Sequence, residues 1–539
     1  LTKTTEASGT WQRSLGQFLD EAVSRNPDAV FVEISGATLT YRQFQEGARK
    51  SASLYLSLGV QPGDRVCLVL PNCPEILFSW FGLSLLGAIM VPINTAYKRD
   101  ELAFILKDSG ARVMVAHADF KETATAAADL APDLTTRVVV GDLDSRNTPD
   151  GWKDFESAFA DSTALANQPE ISHDATSALV YTSGTTGDPK GVIITHAMFI
   201  AAGQGYAHWI RATPEDRFFT CLPYFHANAQ YYSTMGALAA GGTLIVAERF
   251  SASRFWQQVR ESKATIVNFI GMMLSVLLKQ PPSQQDRDNS ARLFYGTPAF
   301  SPEVLANFEA RFGVDVMIGF AMTESCYGTI EPLGGERRPF SCGLAREHPD
   351  PLFINEIKII DAAGATAPPD TAGEIVIRNP AITPGYWTNA EKTRESLRDG
   401  WLHTGDMARM DPDGHLYFVD RKKDIIRRRG ENISSQEVEA VLKRHPQILD
   451  AAVIGVPSEL GDDEVKAYII PVTGAKPDPA EIIGWCAQHL ALFKAPRYLE
   501  FRESLPRTPS LRVRKEQLRA EREDLIENCF DRDADGVHR

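Results

Sequence analysis

The sequence predicts an α/β protein, with helix-covered parallel sheets first, then a smaller strand-rich subdomain, then a compact α+β lobe. Two observations carry this. Short β-branched runs alternate with longer helical patterns through the first three-fifths of the chain, as in parallel sheets. After that the strands are separated by turn residues instead of helices, and a dense charged cluster precedes the last lobe.

In chain order, the strand candidates are 65–70, 111–116, 136–140, 178–181, 243–247, 265–269 and 314–318, with helical patterns such as 15–25, 41–58 and 255–262 among them. The longest apolar run, 76–90, contains Ser79, Gly82, Ser84 and Gly87 and predicts a buried helix. No stretch reaches the ~18 uninterrupted apolar residues of a membrane-spanning helix. Strands 353–360 and 374–378 follow, with Asp-Ala-Ala-Gly at 361–364 and Asp-Pro-Asp-Gly at 411–414 as hairpin turns, which predicts a small β-barrel-like subdomain. A boundary falls near residue 421, giving an N-terminal domain 1–420, a hinge 421–424 and a C-terminal domain 425–539. The latter reads helix 435–444, strands 450–455 and 464–471, and helix 479–490. Beyond Leu518 the Glu/Asp/Arg-rich segment predicts a solvated tail or terminal helix.

With 539 residues, 43% of them hydrophobic, the chain can bury a large core in more than one domain. A net charge of −14 argues against nucleic acid and anionic membrane surfaces as partners. Seven scattered cysteines without a CxxC pair predict reduced thiols, no zinc site and a cytoplasmic setting. The first residues show no secretory pattern.

Residues 181–191 read Tyr-Thr-Ser-Gly-Thr-Thr-Gly-Asp-Pro-Lys-Gly, directly after an apolar run. Glycines at 184 and 187 let backbone N–H groups converge, and the hydroxyls of Thr182, Ser183, Thr185 and Thr186 with Lys190 add donors, which makes a phosphate cradle. It is not the common P-loop, because Gly187 is not followed by Lys-Ser/Thr. The string resembles the phosphate loop of the AMP-binding (adenylate-forming, ANL) superfamily, which includes acyl-CoA synthetases, luciferases and the adenylation domains of peptide synthetases. The resemblance spans roughly residues 15–518 and implies two αβαβα sheets, a small β-barrel subdomain and a mobile C-terminal domain. It also implies two half-reactions: a carboxylate attacks Mg·ATP to give an acyl-adenylate, and CoA or another thiol then displaces AMP.

Further segments carry the likeness. Ile318-Gly-Phe-Ala-Met-Thr-Glu324 resembles Q-G-Y-G-x-T-E, which implies that Phe320 stacks on adenine, Thr323 bonds phosphate and Glu324 holds Mg. Ala321 replaces a glycine and narrows the acyl pocket. Tyr295-Gly-Thr-Pro-Ala299 stands where the family has S-G-G-A-P, so Gly296, Thr297 and Pro298 would bracket the purine. Asp406 and Arg421 resemble the ribose-binding pair. Lys423 matches the hinge pivot, and Gly430, Glu431 and Asn432 match the loop that lines the CoA tunnel. His226 matches the P-x-x-H histidine between acyl pocket and thiol entrance, and Arg427 joins it in the implied catalytic set. Asn228, Phe269, Gly271 and Met322 are expected to line the acyl pocket, with Gly271 leaving room for a bulky group.

One residue breaks the pattern. The family's T-P-S/T-G-K is here Thr508-Pro-Ser-Leu511-Arg512. The lysine that reaches the carboxylate and α-phosphate has become Arg512, which keeps charge but not shape, and Leu511 stiffens the loop. Losing such a cation costs about 10²–10³ in rate. The expectation is an acyl-CoA ligase specialised for acyl-AMP plus CoA. It would be poor at using ATP, fed by a separate adenylating enzyme, and act on a bulky natural-product carboxylate. In this it resembles the non-adenylating CoA ligase of platensimycin-type diterpenoid biosynthesis. A complete ATP-dependent synthetase, in which Arg512 or Arg514 serves, is the alternative. So are an adenylation enzyme loading a carrier protein in trans and an inactive sensor of adenylates or acyl-CoA. A homodimer, frequent among such enzymes, is compatible with the sequence.

Overall fold

The computed structural model describes residues 9–141, 151–182, 189–297, 302–421, 424–428, 431–457, 463–508 and 512–534. Helices start where the sequence supplies caps. Ser14 accepts from the Gln17 backbone while the Gln17 side chain returns to Ser14, opening Leu15–Arg25, and Thr40 and Gln43 repeat the arrangement at Tyr41–Ser57. The buried helix that the sequence predicts over 76–90 is shorter than expected. Pro74–Leu86 is helical and buried nearly all round, Gly87 ends it at φ +70°, and Ile89–Pro92 is a strand.

Two sheets build the large N-terminal part. Strands Trp152–Asp154, Thr136–Val140, Val113–His117, Arg65–Val69, Ile89–Pro92 and Thr176–Thr182 lie parallel in that order, and Thr176–Thr182 then turns back antiparallel on Lys190–Thr195. In the second sheet, Val30–Ile34, Thr243–Val246, Arg217–Thr220, Ile266–Ile270, Leu293–Thr297 and Asp315–Met322 are parallel neighbours. Its edges are antiparallel: Ala37–Thr40 on one side, Ser325–Ile330 and Leu344–Ala345 on the other. Helices Tyr41–Ser57, Pro74–Leu86 and His196–Trp209 share one hydrophobic core with strand residues of both sheets.

A five-stranded antiparallel sheet follows, made of Glu356–Ile360, Gly373–Arg378, Leu397–Arg398, Trp401–Met410 and Leu416–Arg421. The expected turns are present, with Gly364 N–H donating to Asp361 O and Gly414 N–H to Asp411 O. The last lobe packs Ser435–Lys443 and Pro479–His489 on a sheet of Ile448–Pro457, Asp463–Pro471, Tyr498–Phe501 and Phe530–Asp531. Within the segment past Leu518, the strand Phe530–Asp531 departs from the solvated tail or helix expected from its charge. Phe530–Asp531 extends the sheet beside Tyr498–Phe501, and Arg497 pairs with Asp531 at 3.1 Å. Charges that made the segment look solvated pair with other parts of the lobe, Arg522 with Glu500 and Glu521 with Arg502.

None of the seven cysteines forms a disulfide. No described helix is long and apolar enough to cross a membrane, and no group of three or more potential metal ligands occurs among the described residues.

Gly343 joins the edge strand to the rest at φ +83°, where an added Cβ would lie 2.1 Å from the Ile330 carbonyl carbon. Gly343→Ala is expected to cost roughly 2–4 kcal/mol, seen as an earlier urea midpoint. An unchanged midpoint would contradict this packing.

Candidate functional site

Ligands of open α/β sheets bind beyond the carboxyl ends of the strands, and several of the sequence-predicted residues collect there. His226 and Asn228 follow Arg217–Thr220, Gly271 follows Ile266–Ile270, Thr297 ends Leu293–Thr297, and Phe320 to Glu324 end Asp315–Met322 and its turn. Met322 pairs with Ser325, so Thr323 and Glu324 are the two central residues of a tight hairpin turn. Phe320 is 8% exposed and its ring lies 6.2 Å from that of Phe418 in the five-stranded sheet. Ala321 and Met322 are half-buried. Phe269 is fully buried, with its ring 6.4 Å from Phe294, and Gly296 allows this packing because a Cβ there would lie 2.3 Å from the Phe269 carbonyl oxygen.

Phosphate-loop residues Ser183, Gly184, Thr185, Thr186 and Gly187 lie outside the described residues, as do Pro298, Lys423, Gly430 and Leu511. The stems of the phosphate loop are described: Thr182 pairs with Lys190 and Tyr181 with Gly191. Tyr181 Oη donates to Asp108 Oδ2 at 2.6 Å and anchors the hairpin. The Lys190 amine is held below its ordinary pKa by burial and by Lys392, against the pull of Glu395, Glu324 and Glu516.

Segment 383–387, which the motif reading missed, ties this hairpin to Glu324. Thr383 N–H donates to Glu324 O at 2.7 Å and Thr383 Oγ1 to Ile193 O at 2.7 Å. Trp387 N–H donates to Gly191 O at 2.8 Å, and Tyr386 Oη to Glu324 Oε1 at 2.9 Å. The Pro384-Gly385-Tyr386-Trp387 string, two turn residues before two aromatics, was the available signal. Glu324 is 8% exposed, in reach of Lys190, and offers the hard carboxylate oxygen that Mg prefers.

Two other supports were invisible in sequence. Tyr231 Oη donates to Thr323 O at 3.1 Å, and the Glu331 carboxylate accepts from Ile318 N–H at 2.7 Å. Burial pushes the Glu331 carboxyl up to about 7, with Arg337 at 3.5 Å opposing. His226 is pushed down to about 4 by burial, so it is neutral at pH 7. That suits it to hydrogen bonding and not to charge stabilisation.

Asp406 and Arg421 stand opposite each other in adjacent antiparallel strands, and Asp406 is buried. Arg427 pairs with Asn432 and Arg428 with Glu431 in a small hairpin; the side chains of Arg421, Arg427, Glu431 and Asn432 lie outside the described residues. Both flanks of the expected hinge are tied to the C-terminal lobe. Asp420 accepts from Ser435 N–H at 2.7 Å, and Arg519 pairs with Asp424 at 2.8 Å.

Arg512 is exposed on a hairpin in which Thr508 N–H donates to Arg512 O at 2.6 Å and Arg514 N–H to Pro506 O at 2.8 Å. Arg514, two residues on, reaches Glu101 of the N-terminal part at 3.8 Å. Lys515 instead pairs with Glu439 at 2.7 Å and donates to Ser435 Oγ within its own lobe.

Two expectations follow. Tyr386→Phe should leave folding intact but weaken Mg activation roughly 10-fold, because the hydrogen bond orienting Glu324 is gone; a Mg titration of turnover reads it. The folded chain keeps the Glu331 proton to higher pH than the unfolded chain, whose carboxyl titrates near 4.5. Stability is therefore lost as pH rises from 4.5 to 7, by up to about 3 kcal/mol. Denaturation across that range with Glu331→Gln, which retains an acceptor for Ile318, should show the slope reduced.

Known proteins resemble this one along nearly all its length. The sequence model for the AMP-binding enzyme family matches residues 19–387, and that for the AMP-binding enzyme C-terminal domain matches 437–512. Crotonobetaine/carnitine–CoA ligase of Salmonella agona is 36% identical over 490 residues, 89% of this chain and 93% of that protein. Its Escherichia coli counterpart is 36% identical over 510 residues, 91% and 95% of the two chains. The crystal structure of the anthranilate CoA ligase AuaEII with anthranoyl-AMP superposes with a TM-score of 0.86 at 26% identity, covering 95% of this chain and 97% of that one. ATP-bound MatB from Rhodopseudomonas palustris gives 0.84, and apo MatB 0.73, both at 25% identity and covering 95% and 100%. The chain belongs to the AMP-binding (adenylate-forming) family and is an acyl-CoA ligase of it, working through an acyl-adenylate.

Proposed function

We propose that this acyl-CoA ligase is specialised for the second half-reaction, acyl-AMP plus CoA giving acyl-CoA plus AMP, and adenylates poorly. The observation that carries the reading is the occupant of the hairpin. At the family's lysine position stands Arg512, and the nearby Lys515 is held by Glu439 and Ser435, so it is not placed to substitute. A planar guanidinium at the end of a longer arm does not present the compact charge of an ammonium. Residues 421–424 serve as the hinge in this reading, with Lys423 as pivot, and Gly430 to Asn432 line the CoA tunnel. Phe320 and Gly296 to Pro298 hold adenine, and Asp406 and Arg421 hold ribose. The phosphate loop from Thr182 to Lys190 with Thr323 holds phosphate, and Glu324 holds Mg. The acyl group is a bulky carboxylate, received as the adenylate from a separate enzyme.

The fittest rival is a complete ATP-dependent synthetase. The lobe arrangement favours it: Arg514 lies near Glu101, Glu516 acts electrostatically on Lys190, and the fold superposes better on ATP-bound than on apo MatB. Pyrophosphate exchange with a panel of carboxylic acids, then synthetic acyl-adenylates with CoA, separates the two. Specialisation predicts CoA thioester from adenylates and exchange at least about 100-fold slower. Arg512→Lys with Leu511→Gly should raise exchange; vigorous exchange by the unaltered enzyme refutes the specialisation.

A further inference from the structure

The C-terminal lobe and the rest of the molecule share no apolar core. Among the described residues, two hydrophobic clusters lie wholly within the lobe, one between Ile426 and Phe530 and one between Ala452 and Cys529, and the other three contain nothing beyond Phe418. An interface without a large apolar contact leaves its two sides free to move against each other. Polar contacts then set the orientation. Lys279, just past the helix Gly271–Leu278, donates to Leu449 O at 3.4 Å. Arg514 reaches Glu101 at 3.8 Å, and there both partners are charged.

Each end of this pair is fixed to its own body. Glu101 lies in the first turn of the helix Arg99–Ser109, whose Leu102, Ala103, Ile105 and Leu106 are buried with strand residues of the seven-stranded sheet. Its carboxylate divides its oxygens: Oε2 accepts from Lys98 N–H at 3.0 Å and caps the helix, while Oε1 faces Arg514. Arg514 closes the hairpin that carries Arg512, donating its N–H to Pro506 O at 2.8 Å. That hairpin is bound to the lobe, because Arg507 pairs with Asp450 and Val513 packs on the cluster of Ala452, Ile454 and Tyr468. Tyr97 lies within the field of both partners: burial and Glu101 raise its hydroxyl pKa, and Arg514 opposes them.

The pair therefore spans two rigid bodies, and a displacement of the lobe by a few ångström breaks it. In the orientation described, Glu516, two residues past Arg514, acts electrostatically on Lys190 at the stem of the phosphate loop. The end of the hairpin thus faces the expected nucleotide site. The Arg514 and Glu101 side chains are 34% and 40% exposed, so water and salt screen their attraction. A pair of this kind shifts an equilibrium about 2- to 5-fold. That biases the lobe toward one orientation without locking it there.

We propose that Arg514 and Glu101 are positioning residues that hold the lobe, and Arg512 with it, toward the expected nucleotide site, and that their separation must precede the reaction of CoA. The inference rests on the hinge at 421–424 in the reading above and adds the contact that biases its two positions. Neither residue touches substrate. Because CoA reacts from the separated state, weakening the pair raises the fraction of enzyme ready for it.

The test looks for a gain, which a merely structural role would not produce. Glu101→Gln removes the charge and keeps an acceptor for Lys98 N–H; Arg514→Met removes the cation and keeps a long side chain. With a supplied acyl-adenylate, each should raise kcat/KM for CoA about 2- to 5-fold. The double variant should gain no more than either single one, because both remove the same contact. The ratio of variant to wild type should fall toward one as salt rises. Spin labels at Glu122→Cys and Gln488→Cys, both exposed, in a Cys529→Ser background read the lobe separation without turnover. The separation seen in this structure should lose population in Glu101→Gln, and this measurement decides where no supplied adenylate turns over. A kcat/KM for CoA that is unchanged or lower in both single variants overturns the proposal, as does an unchanged distribution of separations. Where the separation responds to adenylate and CoA but not to Glu101→Gln, the latch is wrong and the hinge stands. A lobe that never moves refutes the hinge reading as well.

Discussion

The site depends on one set of hydrogen bonds, those by which residues 383–387 join two sheets. Ile193 and Gly191 belong to the seven-stranded sheet, and Glu324 sits on a turn at the end of the nine-stranded one. Thr383 bonds to both Glu324 and Ile193, Tyr386 to the Glu324 carboxylate and Trp387 to Gly191. In the proposed reading the phosphate loop and the Glu324 carboxylate, from different sheets, act on the same phosphates, which requires register to within a fraction of an ångström. The shared core between the sheets sets their coarse placement. The clasp fixes the fine placement, because hydrogen bonds are directional where hydrophobic contact is not.

The residues around the clasp divide the work. Tyr231 and Glu331 hold backbone atoms of the motif strand, one at each end, so Thr323 and Ile318 are fixed without their side chains being used. Glu331 is the less comfortable of the two. Its carboxylate is kept for the hydrogen bond to Ile318, although burial favours the neutral acid. A strand that must present its last residues to a ligand gains from such anchors behind it.

Much of this was legible in the sequence, for definite reasons. The alternation of strand and helix patterns gave the layered architecture because each period is local. The helices Leu15–Arg25 and Ser435–Lys443 begin where predicted because Ser14 and Ser434 cap them. The motifs were legible as strings and not as breaks in a strand, since Gly296 and Gly319 lie inside the strands Leu293–Thr297 and Asp315–Met322. What remained hidden depends on contacts between distant segments. Tyr386 and Tyr231 find partners 62 and 92 residues away, and the π-helix at Ala229–Thr234 has no local periodicity to announce it. The charged tail was misread because its partners, Arg497 and the edge of the last sheet, are supplied only by folding.

The C-terminal hairpin shows why charge alone does not settle which half-reaction a ligase of this kind performs. Arg512 and Arg514 keep two cations along a hairpin that leans on the N-terminal part through Glu101. Any attraction they exert on an anionic nucleotide is local, because the chain as a whole carries a net charge of −14. Reaction at a phosphorus centre asks for more: a small cation delivered to the oxygen where charge develops, in a slot from which water is excluded. Guanidinium spreads its charge over a plane and directs it along fixed N–H vectors. The proposed reading gives it a part in holding a finished adenylate and a poor one in its formation. In the proposed reading, binding and adenylation separate at this one position, and no change is asked of the clasp, the expected ribose pair or the expected CoA loop.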